Sequence, residues 1–130
     1  MTSKKLPAKF AKLELDIAAE RGDFELFALF LREDMPDRWD VLISVPWASE
    51  DKAAALDYMV EKIKSDIGID YLPQLSRIVF IDPSSFTLEE LDQDAPVEHG
   101  MVEIRDTNIF GQDIKRGYII TCKQLSPVAA

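Results

Sequence analysis

A strand, a helix and a second strand follow one another in the middle of this chain, and that order constrains the fold more than any other feature. Trp39, Val41, Ile43 and Val45 alternate with Asp40, Leu42 and Ser44 in the period of two that marks a β-strand. Pro46 stops it. Ser49 is placed as a helix N-cap, with Glu50 and Asp51 in the first turn, where negative charge suits the helix dipole. Ala53, Leu56, Val60, Ile63 and Ile67 then trace the buried stripe of a helix ending near Gly68. Arg77 to Ile81 is a short β-branched run of the kind buried on both faces of a sheet. A helix between two strands permits a parallel crossover, which is right-handed in nearly all proteins.

The flanking segments complete the plan. Leu6, Phe10, Leu13 and Ile17 recur at spacings of three and four and predict a helix over 6–20, closed by Gly22 and Asp23. The continuous apolar run from Phe24 to Arg32 is read as a strand, because Asp34, Pro36 and Asp37 supply a turn into the alternating strand that follows. Thr87 and Glu90 have the spacing of a capping box and predict a short helix over 88–93. The last third reads as a hairpin, 98–106 paired with 113–122 through a six-residue loop. The expected fold is therefore a mixed α/β (α+β) single domain over 1–130, in the order α-β-β-α-β-α-β-β. Two or three helices pack on a five-stranded mixed sheet, and residues 1–12 form a partly frayed basic arm.

Composition narrows the function classes. With 47% hydrophobic residues the chain can bury a core without metal or disulfides, and its single cysteine, Cys122, reads as a buried, inert thiol. Lys and Arg number 15 against 24 Asp and Glu, a formal net charge of -9, which disfavours nucleic acid as a partner. The lysines of the arm, Lys4, Lys5, Lys9 and Lys12, read as a solvated helix start, with a weak anchor for an acidic surface as the alternative. Nothing resembles a secretory signal or the run of about 18 apolar residues that spans a bilayer. A cytoplasmic location is the expectation. One His and one Cys cannot build a zinc site from those ligand types, and the five glycines fit neither nucleotide fingerprint, so no cofactor and no metal are expected.

Two readings of function follow. The first is a protein-interaction or regulatory domain that binds itself or a protein partner through the hairpin. Ile109 and Phe110 occupy a loop tip where polar residues are normal, and an exposed apolar pair there is a docking anchor unless the fold covers it. Arg105, Tyr118 and Trp47 extend that candidate surface, and a small molecule is a further possible partner. The second is a small hydrolase or transferase. If Asp106 pairs with Asp113, then Glu103 faces Arg116, and His99, Glu103, Arg105, Arg116 and Tyr118 gather on one face. His99 would then be a general acid or base oriented by Glu103, with Arg116 holding an anionic substrate. A metal-dependent nuclease, suggested by Asp113-Ile114-Lys115 and Glu50-Asp51-Lys52, is the least favoured of these, since the acidic balance repels its substrate.

Overall fold

The computed structural model describes residues 5–34, 37–81, 97–109 and 112–122. The elements are α1 (Lys5–Arg21), β1 (Leu26–Arg32), β2 (Trp39–Ser44), α2 (Lys52–Lys62), β3 (Leu75–Phe80), β4 (Val102–Ile109) and β5 (Gln112–Cys122). They build a mixed sheet in the order β3-β2-β1-β5-β4, parallel between β2 and β3 and antiparallel elsewhere. This is the expected α/β architecture, with α2 as the parallel crossover. The short helix expected over 88–93 lies outside the described residues. Among the described residues, no helix is long and apolar enough to cross a membrane.

Leu6, Phe10, Leu13 and Ile17 of α1 are all buried, as their spacing predicts. The helix starts at Lys5, so residues 5–12 are its first two turns rather than a frayed arm, because Leu6 and Phe10 anchor them. Gly22 ends it at φ +110°, with its N–H bonded to the Ala18 carbonyl, a conformation that only glycine adopts cheaply.

The second helix departs from expectation at its start. Pro46–Ser49 forms a 3-10 turn, and the cap of α2 is Asp51, whose carboxylate accepts from the Ala54 N–H at 3.1 Å. Ile63 and Ile67 are buried as expected, but ahead of them the stripe runs through Ala55 and Met59, while Ala53 faces solvent and Leu56 is 40% exposed. A π turn over Ile63–Ile67, closed by Gly68 N–H to the Ile63 carbonyl, lets this four-residue spacing persist.

The sheet buries both faces. On the first, Phe27, Leu29, Leu31, Trp39, Val41, Ile43, Tyr118 and Ile120 pack against α1 and α2. On the second, Leu26, Ala28, Phe30, Leu42, Ile104, Ile109, Ile114, Ile119 and Cys122 form a separate cluster that includes no residue of either helix. The unbroken apolar run of β1 follows from its central place in the sheet. Gly117 is required where β5 crosses this second face: a Cβ there would stand 2.8 Å from the Phe30 ring and 3.0 Å from Ile104.

Candidate functional site

The hairpin decides where each candidate side chain goes. β4 and β5 continue to the pairs Asn108↔Asp113 and Ile109↔Gln112, so the ladder is shifted two residues from the expected register and the strands run into the expected loop. Glu103 faces Tyr118, and Arg105 faces Arg116. The bridge Val97↔Cys122 keeps the expected register, and the shift falls between it and Val102, where His99 adopts φ +53°. A second break occurs at Asp106, φ +49°, opposite a bulge in β5 between its pairings with Leu31 and Arg32. Each break interrupts the alternation of faces.

These breaks correct the sequence reading in two places. Beyond Asp106 the tip is turned so that Ile109 points into the second face and is 1% exposed, buried beside Ile114. Ile109 is thus a core residue rather than a docking anchor, and Phe110 lies outside the described residues. His99, released from the strand, turns away from Glu103. The Glu103 carboxylate pairs instead with Arg105 at 2.9 Å and Arg116 at 3.6 Å, so the expected constellation of His99, Glu103 and Arg116 does not assemble. Tyr118 is buried against Trp39, with ring centroids 5.7 Å apart, and does not reach the surface. Trp47 is half-buried, edge-on to Phe24 and Tyr58, with the Arg21 guanidinium 4.4 Å from its ring centroid. Neither Asp113, which accepts from Asn108 at 3.0 Å, nor Glu50 joins a group of metal-ligating side chains among the described residues.

His99 finds a different carboxylate. Its Nδ1 lies 2.7 Å from Glu14 Oε1, and Glu14, on α1, has no solvent exposure. The second Glu14 oxygen accepts from the Thr121 hydroxyl at 2.8 Å, and the Thr121 oxygen accepts from the His99 backbone N–H at 3.1 Å. A bulge makes this possible: Phe27 pairs with Thr121 and Ala28 with Ile119, so Ile120 and Thr121 both face α1. A buried carboxylate needs such donors, since an unpaired buried charge is prohibitively costly. With Nδ1–H donating to Glu14, Nε2 is left facing outward, 3.7 Å from Glu98 Oε2. Asp23, Glu98 and His99 offer ligand atoms within 4.8 Å of one another, and among the described residues they are the group that could hold a cation. Sequence reasoning passed over Glu14, although its signal is plain: it stands inside the stripe Phe10, Leu13, Ile17, Ala18.

The other side of the sheet holds a cavity of about 140 Å3. Phe30, Leu42, Val79, Ile81, Ile109 and Ile114 form its apolar walls, and Arg32, Asp40, Arg77 and Gln112 its polar lining. Asp40 is 3% exposed. Its Oδ2 pairs with Arg32 Nε at 2.8 Å and Arg77 Nε at 3.2 Å, while its buried Oδ1 has no hydrogen-bond partner among the described residues. Arg32 also reaches Asp34 at 3.2 Å, whereas Arg77 is half exposed. The alternation of β2 marked Asp40 as polar-face; the second apolar layer is what buries it.

No protein-family model, curated protein or solved structure matches the chain, so no relative lends it a function.

Proposed function

We propose that this protein is a binding domain whose C-terminal hairpin closes one side of a small-molecule cavity. The observation that supports this reading is the cavity of about 140 Å3 itself, walled by Phe30, Leu42, Val79, Ile81, Ile109 and Ile114 and edged by Arg32, Asp40, Arg77 and Gln112. The sequence directed binding to the outer surface of the hairpin, with a second copy or another protein as partner. Burial of Ile109 redirects it inward, to a volume of the order that holds a benzene-sized body.

Ligand-observed NMR of a mixture of small aromatic amides, acids, alcohols and hydrocarbons tests this against wild type and Val79→Trp, which fills the cavity from β3. Binding to wild type that disappears in the folded variant is the expected result. Equal binding to both proteins, or to neither, contradicts it.

One observation favours a second reading, acid–base chemistry at His99. An imidazole held through Nδ1 by a buried carboxylate, with Nε2 outward, is arranged for proton transfer. Its test is hydrolysis of an activated ester: His99→Gln must lower the rate to the buffer background while leaving the melting temperature within a few degrees. A wild-type rate already at background ends this reading.

A further inference from the structure

We propose that Asp23, Glu98 and His99 form a surface Zn2+ site on the side of the sheet that carries α1, with the buried Glu14 orienting the imidazole. The site is apart from the cavity and independent of what the cavity binds.

The imidazole is turned toward a place for a cation. Glu14, a carboxylate with no solvent exposure, accepts from Nδ1–H at 2.7 Å, so Nε2 presents a lone pair. That lone pair faces another acceptor: Glu98 Oε2 lies 3.7 Å away, beyond hydrogen-bond length. An acceptor facing a carboxylate is stabilised by a cation placed between them. Zn–N and Zn–O distances of about 2.1 Å set tetrahedral ligand atoms about 3.4 Å apart, close to the separation already present. Asp23 supplies the third ligand atom, all three lying within 4.8 Å of one another, and exposed side chains close the remaining distance by changing rotamer. Glu14 stands where a carboxylate fixes the tautomer and raises the basicity of a metal-bound histidine.

The backbone beneath these side chains is pinned. Val97 exchanges both of its backbone hydrogen bonds with Cys122, the His99 N–H donates to the Thr121 hydroxyl oxygen, and the Gly100 N–H donates to the Ile120 carbonyl. Asp23 stands between Gly22, which closes α1, and the start of β1, where the Glu25 N–H donates to the Ser44 carbonyl.

The donor set selects the metal. One imidazole nitrogen with two carboxylates suits Zn2+, whereas Mg2+ and Ca2+ take oxygen ligands throughout. The carboxylates supply what one His and one Cys lack for a zinc site, and three protein ligands leave a fourth position to solvent. Zn2+ on Nε2 takes the lone pair that acid–base chemistry at His99 would use, so the two exclude one another.

The experiment is calorimetric titration of the metal-free full chain with ZnCl2, alongside 15N NMR of the imidazole, whose signals are unambiguous because the chain has one histidine. One equivalent of Zn2+ is expected to bind and to move the Nε2 signal, with at least about tenfold weaker binding of Mg2+ and Ca2+. Loss of an outer-shell partner alone costs about 10–100-fold in metal affinity, so Asp23→Asn and Glu98→Gln, which remove ligands, should each weaken Zn2+ binding at least about tenfold. Melting temperatures of the two variants separate loss of a ligand from loss of fold. Zn2+ binding that leaves the imidazole signals unmoved, equal affinity in both variants and wild type, Mg2+ binding as tightly as Zn2+, or no binding at all overturns the site. None of these outcomes touches the cavity, which is read separately through Val79→Trp.

Discussion

Glu14 and Thr121 are 107 positions apart in sequence and share a 2.8 Å hydrogen bond wholly out of solvent. The contact ties the first helix to the last strand, and it exists because a bulge in β5 turns Thr121 toward α1. Through it the Glu14 carboxylate is held between a hydroxyl and the His99 imidazole.

Thr121→Val keeps the shape of the side chain and removes the hydroxyl. It leaves Glu14 Oε2 and the His99 N–H without their partner, so unfolding free energy should fall by about 1–3 kcal/mol. Urea denaturation measures this. A change below about 0.5 kcal/mol, the level of an ordinary surface substitution, would mean that the network contributes nothing to stability.

Gly117→Ala tests the crossing of β5 over the second face. The added methyl would lie 2.8 Å from Phe30 and 3.0 Å from Ile104, both within the cluster that borders the cavity. Overpacking of this kind costs about 1–3 kcal/mol. The paired change Gly117→Ala with Ile104→Val should recover part of the loss, and thermal unfolding of the two variants shows whether it does.

The N-cap of α2 separates two neighbouring residues. Asp51→Ala should cost about 1 kcal/mol, because the carboxylate satisfies the Ala54 N–H. Glu50→Ala, one residue earlier on an exposed site, should stay within about 0.5 kcal/mol. Equal losses in denaturant midpoints would contradict this assignment of the cap.

Burial pushes the Cys122 thiol up to about 11 from its ordinary 9, because the thiolate is excluded from the apolar second face. The folded state therefore holds its proton more tightly than the unfolded state. The associated stability is complete below pH 9 and is lost as pH rises through about 11. A Cys122→Ala variant should show a shallower fall in stability over that window. At neutral pH a thiol-specific reagent should label the wild type only on unfolding; rapid labelling of the native protein would contradict the burial.

The architecture was legible where local pattern and tertiary context agree. Phe10, Leu13 and Ile17 sit where a 3.6-residue period places them, and the alternation Trp39, Val41, Ile43 survives in β2. The expected stripe of α2 holds at Ile63 and Ile67 but not in the first turns, where Ala55 and Met59 are buried in place of Ala53 and Leu56, because the face that meets the sheet is set by packing and by the π turn that keeps a four-residue spacing. The site was less legible, since it depends on interruptions of strand geometry. The positive φ values at His99 and Asp106 and the bulge that places Ile120 and Thr121 together arise from pairing between distant segments. Glu14 and Asp40 carried a readable signal, each a carboxylate in an apolar pattern. What the pattern did not contain was the layer that buries each of them, and with it the reason that Ile109 turns inward.

The most direct test of the central claim is a measurement of intermolecular nuclear Overhauser effects between toluene and the protein, with isoleucine methyls selectively labelled. Binding in the cavity predicts cross-peaks from the ring protons to the methyls of Ile109 and Ile114, and none to Ile17 or Ile63 on the opposite face. Cross-peaks to Ile17 or Ile63 instead, or no cross-peaks at saturating toluene, would contradict it.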